Sequence, residues 1–259
     1  MIPDWSRAIV LSTTEFEVTW ETLALGETPW QLDPPRSGRT WEARRAIVQG
    51  ALLSMQQRGL GDGSHPRGDV AQLMTTLAYP EWAADIRYVA DMLVAGVASC
   101  RAGRCALAVR RAKEIALVWV PPEDAARALV GLLGTVVPGR GRDVRLPAGV
   151  LDAAASTGAV GSDAFADELV RLGTDQADVR ALVDSCRGAG LRGQLGASAR
   201  RGDGTRIRRA PGVVGFHRTP TGHFRQLRRP TDAGDVVTIG PTDRARLLSD
   251  LDELLACIR

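Results

Sequence analysis

Two of the three histidines, His217 and His223, lie on either side of one predicted turn. Strands that meet at a turn bring flanking side chains close together, so this pair could in principle approach a metal ion. A zinc site requires further nitrogen, sulfur or carboxylate ligands, and the nearby residues are arginine and threonine. The third histidine, His65, lies in a glycine-rich loop. We therefore expect no metal site.

The sequence also lacks the motifs of nucleophilic and phosphate-directed chemistry. It has no G-x-S-x-G nucleophile elbow, and Ser198 lies inside a predicted strand with no base placed beside it. The glycine-rich links at residues 59–63 and 139–141 are not followed by the lysine of a phosphate-binding loop. We expect a protein that is not an enzyme and requires no cofactor.

Arginine is concentrated in one stretch of the chain. Residues 187–229 hold eleven arginines and a single acid, Asp203, although the whole chain carries a formal net charge of only +3. A nucleic-acid-binding surface would combine such charge with stacking aromatic residues, and here Phe216 and Phe224 are the only aromatics. An arginine-rich sheet that binds nucleic acid is therefore retained as the alternative function.

The four cysteines are few and scattered, which is typical of a reducing compartment. Cys100 and Cys105 flank Ala102-Gly103, and a two-residue loop there would place the thiols at a non-hydrogen-bonded pair. A disulfide is geometrically possible, but free thiols fit a cytoplasmic chain better. Asp4, Arg7 and Glu15 interrupt any signal-peptide pattern, and the longest apolar run, residues 128–138, falls far short of the ~20 residues that span a bilayer. We expect a soluble cytoplasmic protein.

Period-two alternation between glycine-rich turns predicts three antiparallel strands at residues 194–200, 213–218 and 223–229, with turns at 202–204 and 219–222. Capping residues and apolar spacing predict one helix that is capped by Ser12 or Thr13 and another that is capped by Thr40. A short strand is predicted at residues 29–32, and further strands between 83 and 120.

The second part of the chain repeats the first. A single offset aligns Val118 with Val237 and the following acid Asp124 with Asp243, and it also pairs Gly103 with Gly222 and Gly96 with Gly215. A separate offset pairs residues 69–73 with 178–182. We predict an α+β protein with a central antiparallel sheet flanked by two helical bundles, in two pseudo-twofold-related halves at residues 1–143 and 144–259 that form one compact unit.

The sequence resembles the EspG family, the chaperones associated with actinobacterial type VII (ESX) secretion. In the second half the resemblance rests on RGQLG at 192–196, RRAP at 208–211, VGF at 214–216, Thr219, Gly222 and the pair at 228–229. In the first half it rests on LSTTEF at 11–16, LGE at 25–27 and GRTWE at 38–42. The chain departs from the family pattern around the hairpin, where it has His217-Arg218-Thr219 and His223-Phe224, so the identity of the client is not carried over.

The resemblance implies a non-enzymatic chaperone, a monomer or weak dimer, that holds a PE/PPE-type helical heterodimer soluble and delivers it for export. If the three strands expose one face, alternation places Leu195, Val214, Phe216 and Leu227 on the packed side. The opposite side is then expected to contact the partner through six residues, and simple solvation of these positions is the alternative: Gln194, Ser198, His217, Phe224, Gln226 and Arg228. Because this part of the chain is rich in arginine and histidine and its first-half counterpart is not, we expect specificity to lie in the second half.

Overall fold

The structure is a computed structural model that describes residues 4–34, 38, 40–200 and 207–258. The turn predicted at 202–204 lies outside these residues. The strands of the described chain are β1 Ile9–Ser12, β2 Trp82–Val89, β3 Leu93–Arg101, β4 Arg104–Arg111, β5 Glu114–Val120, β6 Val144–Pro147, β7 Leu191–Arg200, β8 Ile207–Arg209, β9 Val214–Thr219, β10 Gly222–Arg229 and β11 Val236–Pro241. Its α-helices are α1 Thr13–Thr22, α2 Trp41–Gln57, α3 Gly68–Ala78, α4 Ala125–Gly131, α5 Ala148–Thr157, α6 Asp163–Arg171, α7 Gln176–Cys186 and α8 Arg244–Ala256.

The helices begin where side chains can satisfy the free amide groups of the first turn. Ser12 accepts from the Glu15 amide while the Glu15 carboxylate accepts from the Ser12 amide, which is a complete capping box at the start of α1. Thr40 caps α2, Ser162 caps α6 and Asp243 caps α8 in the simpler way. The predicted caps at Ser12 and Thr40 are confirmed.

Within the described residues the eleven strands form one antiparallel sheet in the order β1-β5-β4-β3-β2-β7-β9-β10-β11-β6, and β8 pairs with the far end of β7. The sequence of elements repeats along the chain: one edge strand, three helices, the inner strands and a final helix, then the same again. The predicted α+β class, with two halves joined across a central antiparallel sheet, is confirmed. The division at residues 143 and 144 stays a prediction.

The centre of the sheet is the pair of Ile86 on β2 and Leu195 on β7. Moving outward, Ile86 pairs with Gly96 and Leu195 with Val214, so the two halves are related by an approximate twofold axis through the central pair. Asp124 immediately precedes α4 and Asp243 immediately precedes α8, which is the pairing that the sequence repeat predicts.

The register predicted for the repeated strands is wrong. In each half a two-residue loop joins paired residues, Arg101 with Arg104 and Thr219 with Gly222, so the counterpart of Gly222 is Arg104 rather than Gly103. Likewise, the counterpart of Gly96 is Val214, one residue before Gly215. The glycines coincide in the alignment of the sequences but occupy different positions in their turns and strands.

The two faces of the sheet are covered differently. One face, called here the front face, packs against α1–α3 in the first half through residues such as Val97 and Leu117. The same face packs against α5–α7 in the second half through Val237 and Ile239. The back face packs against α4 and α8 over one continuous core. Within the described ranges, no helix covers the middle of the front face between the two helical bundles.

The β3–β4 hairpin has Ala102 and Gly103 at φ values of 48° and 72°, the left-handed pair that a two-residue hairpin loop needs. As predicted, Cys100 and Cys105 are directly opposite one another. They are joined by a disulfide, with 4.0 Å between their Cα atoms, so the expectation of free thiols is wrong for this pair. The reason is the close approach of side chains at a non-hydrogen-bonded position of a tight hairpin. Cys186 and Cys257 are free.

Residues 29–32 form a turn rather than the predicted short strand, because the Leu32 amide donates to the Pro29 carbonyl. The carbonyl oxygens of this segment point at the sheet, where Arg87 donates to Gln31 and Arg110 to Leu32. The segment therefore covers part of the front face of the first half. No helix among the described residues is long and apolar enough to cross a membrane.

Candidate functional site: the cleft between the helical bundles

The uncovered middle of the front face forms a cleft of about 750 Å³. Its floor is formed by the central strands β7, β9 and β10, and its sides by α5 and by the segment that follows β8. The residues that line it are Asp152, Gly193, Gln194, Arg209, Ala210, Pro211, Gly212, Val213, Gly215, Gln226, Arg228, Pro230, Asp235 and Val237. A concave surface with polar groups that converge on it is the usual form of a binding site.

The middle of the floor is one row of cross-strand neighbours. Gln194, Gly215 and Gln226 are directly opposite one another on β7, β9 and β10, so their side-chain positions share the front face. Gly215 leaves the row open: a Cβ there would meet only Gln226 atoms, at 3.5 Å. The floor therefore offers two amide side chains, each with donors and acceptors, beside a bare stretch of backbone.

An ion pair closes the side of the cleft nearest the first half. The Arg209 guanidinium donates to both carboxylate oxygens of Asp85, at 2.8 and 3.0 Å, and the Gln31 amide lies 3.3 Å from the same carboxylate. Asp85 is fully buried. Arg209 reaches it by crossing β7 at Gly196, where a Cβ would overlap the guanidinium. The Trp30 ring lies 5.0 Å from the guanidinium carbon, and half of the Trp30 surface is exposed.

The opposite side of the cleft carries one cation and two acids. Arg228 pairs with Asp152 of α5, and its Nε lies 3.7 Å from Asp235. These three groups are each about half exposed, so their ion pairs contribute little to stability. They do set the local charge, because one cation lies between two acids.

Three of the six predicted contact residues line the cleft: Gln194, Gln226 and Arg228. Their role in binding a partner stays a prediction. His217 is half-buried beyond the end of the cleft, where its Nε2 lies 2.7 Å from the Ser185 carbonyl of α7 and its ring stacks on Phe224. Burial lowers the pKa of His217. The Ser185 carbonyl favours the protonated ring and so acts in the opposite direction, but the effect of burial is the larger one.

Phe224 and Ser198 lie on the predicted face but are buried, so the prediction that they are exposed is wrong. The Phe224 ring is covered by His217 and by the segment at Gly139, where a Cβ would collide with the ring. Ser198 is paired with Ala83 of β2 on one side and with Arg209 of β8 on the other, on the part of the front face that is nearest the first half. Alternation gives the face of a residue and not what covers that face.

The structure adds residues that sequence reasoning missed. Trp30 belongs to the segment interpreted as a strand, and Arg209 belongs to β8, which is only three residues long. Asp152 reaches the cleft from α5. A tryptophan in a loop between proline residues was the one available signal, because large aromatics at exposed positions are enriched in binding surfaces. Trp30 does not line the cleft itself, but it connects the first half to the cleft through its contact with Arg209.

The two hairpin histidines do not converge. His217 pairs with Phe224 and His223 with Arg218, so the two imidazoles project from opposite faces of the sheet. The hairpin loop lies within the turn predicted at 219–222: Pro220 and Thr221 form it, and Phe216 pairs with Arg225. No group of three or more histidine, cysteine or acidic side chains is arranged for a metal in the part of the chain that the structure describes.

The arginines of the second half are largely engaged within the protein. Arg225 lies between Asp143 and Asp250 under α8, at 3.4 and 3.5 Å. Arg229 pairs with Glu253 of the same helix. Together with the ion pairs of Arg209 and Arg228, these contacts neutralise much of the charge that suggested nucleic-acid binding, which depends on cations available to phosphates. That alternative stays a prediction.

A family model described as the EspG family matches residues 12–253, nearly the whole chain. This chain belongs to the EspG family. Among solved structures, it is similar to the Mycobacterium tuberculosis type VII secretion system chaperone EspG5, determined in complex with the PE25-PPE41 dimer. The TM-score is 0.78 at 15% sequence identity, and the match covers 97% of each chain, so this EspG family member shares that fold. No curated protein sequence matches the chain.

Proposed function

We propose that this EspG family member is a type VII secretion chaperone that binds a PE/PPE-type helical heterodimer and keeps it soluble until export. The observation that carries the proposal is the open cleft between two helical bundles, on a fold shared with a chaperone solved in complex with such a dimer. PE25-PPE41 is the partner of that protein, and the proposal for this chain names the class of client and no individual pair.

The chemistry of the cleft suits the end of a helical pair. Helix ends present free carbonyl or amide groups. The amide side chains of Gln194 and Gln226 can donate to such carbonyl groups and accept from such amide groups. Trp30 supplies an exposed aromatic surface of the kind that dominates binding energy in protein interfaces. An apolar tip of a secreted helical pair would self-associate if left uncovered.

The charge distribution supports a protein client over a polyanion. At the floor and sides of the cleft, Arg209 and Arg228 are each matched by acids within the chain. A mixed, nearly balanced surface favours recognition by hydrogen bonds and shape, with charge setting orientation. In this function the chain acts without chemistry of its own and without a cofactor, and it works in the cytoplasm as a monomer or weak dimer.

Co-expression tests the function. The chain is produced with a PE/PPE-type pair encoded beside it, and the mixture is analysed by size-exclusion chromatography with light scattering. The expected result is a single species with one copy of each of the three chains, and a client pair that precipitates when the chaperone is omitted. A client that remains insoluble, or that elutes apart from the chaperone, contradicts the proposal.

A further inference from the structure

A second concavity lies on the back face of the first half, away from the cleft. It has a volume of about 270 Å³ and lies between α4 and the outer strands β1, β4 and β5. Its apolar lining includes Val10, Val109, Ala128 and Leu132, and Trp5 stands at its margin. Val10 and Trp5 are about 40% exposed, so apolar surface is open to solvent here.

The internal symmetry of the fold explains the concavity. Along the sequence, Ala128 and Gly131 follow Asp124 by the same numbers of residues as Leu247 and Asp250 follow Asp243. The two pairs therefore occupy equivalent positions on α4 and α8. On α8 those positions are filled by a fully buried leucine and by a carboxylate beside Arg225. On α4 the same positions carry a methyl group and a hydrogen atom. The first half is therefore open at a place that the second half fills with side chains.

The rim of this back-face pocket is charged. Arg111 comes from the end of β4, Arg127 from α4 and Glu114 from the start of β5. Arg127 also lies 3.6 Å from the largely buried Asp124 carboxylate, but more than half of the Arg127 side chain is exposed, so its guanidinium remains accessible to a ligand. Two guanidinium groups against one carboxylate at the rim favour an anion, and guanidinium groups bind carboxylates in a two-pronged geometry.

We propose that the back-face pocket binds a small amphiphile that has a short apolar body and a terminal carboxylate. The apolar body occupies the space beside Ala128 and Gly131, and the carboxylate lies at the rim near Arg111 and Arg127. The volume is slightly below the range of roughly 300–1,000 Å³ of drug-sized ligand sites, so a chain of about eight carbons is the appropriate probe. The site does not depend on the client-binding function, because it is on the opposite face of the sheet.

Titration with octanoate tests the site, by calorimetry and by heteronuclear NMR of the full chain. We expect saturable binding with a dissociation constant of about 1 mM or below, and shift changes confined to α4 and the adjoining strands. Octylammonium, with the same chain and the opposite charge, should bind at least about 10-fold more weakly. Absence of saturable octanoate binding, or equal affinity for the two probes, overturns the proposal.

Two variants test the location. Gly131→Leu fills the pocket, and it should fold normally because a Cβ at this helical position meets no atom within 4 Å. It is expected to weaken octanoate binding at least about 10-fold. The matched control is Gly50→Leu on α2, another helical glycine with free space around it, which should bind as the natural chain does. Arg127→Gln should weaken octanoate but not 1-octanol. Unchanged octanoate affinity in Gly131→Leu overturns the assignment.

Discussion

Removal of Arg209 and removal of Asp85 break the same ion pair, but they should lower the stability of the protein by different amounts. Asp85 is fully buried, whereas about a third of the Arg209 side chain is exposed. Among the described side chains, Arg209→Met leaves the buried carboxylate with the Gln31 amide at 3.3 Å as its remaining partner. Loss of the partner of a buried charge costs about 3–5 kcal/mol. Asp85→Asn leaves a guanidinium that can turn towards water and remain over Trp30, so it should cost about 1–3 kcal/mol.

Guanidinium chloride unfolding of both single variants and the double variant measures this asymmetry. For a chain of this size, the larger loss corresponds to a fall in melting temperature of roughly 6–20 °C. The double variant should be less destabilised than the sum of the two single variants, because the buried carboxylate is already gone. Equal losses for Arg209→Met and Asp85→Asn, or strict additivity, would refute the reasoning.

Gly196 provides an independent check of the same contact. A methyl group at Gly196 would overlap the Arg209 guanidinium, so Gly196→Ala should lower stability by about 1–3 kcal/mol. Gly215 lies on the same face one strand away, and a Cβ there has only an ordinary contact at 3.5 Å. Gly215→Ala is therefore the matched control, and it should change stability by no more than about 0.5 kcal/mol.

Two further predictions concern titration and oxidation. Burial lowers the folded-state pKa of His217 and of His223 below the ordinary value of 6.5, so the unfolded chain binds more protons and stability falls as the pH drops from about 6.5 towards 5. Replacing both histidines by asparagine should flatten that slope in pH-dependent denaturation, and a slope that persists contradicts the assignment. The Cys100–Cys105 bond closes a short loop, so reduction or Cys100→Ser should cost about 2 kcal/mol, or roughly 4–8 °C. A melting temperature that is the same with and without reductant, while Cys257→Ser is also neutral, would show that the bond contributes nothing.

The sequence predicted what depends on local signals and missed what depends on tertiary contact. Glycine at left-handed positions and period-two alternation are local signals, so the two strands on either side of the turn at Gly222 were placed correctly to within a residue. The repeat predicted two halves, but insertions in the turns shift the strand register while leaving the helix caps aligned. Alternation predicted the face of the sheet on which Phe224 lies, and this prediction is confirmed.

The candidate site was only half predictable for the same reason. Gln194 and Gln226 follow from alternation on neighbouring strands. Arg209 is held at the cleft by Asp85, and Trp30 lies over the Arg209 guanidinium. Asp85 is distant from both residues in sequence and carries no signal of a buried ion pair. The burial of Ser198 depends on what packs over the far end of β7, which alternation does not reveal.

If a PE/PPE-type client binds in the cleft, a large side chain at Gly215 should block it, so the decisive measurement is the affinity of Gly215→Trp for the client. The indole would occupy the floor of the cleft beside Gln226 without backbone strain, since Gly215 is not in the left-handed region. Calorimetry should show a loss of affinity of at least about 100-fold relative to the natural chain. Gly131→Leu, on the opposite face, should bind the client with unchanged affinity. A Gly215→Trp chain that binds as tightly as the natural protein would contradict the account.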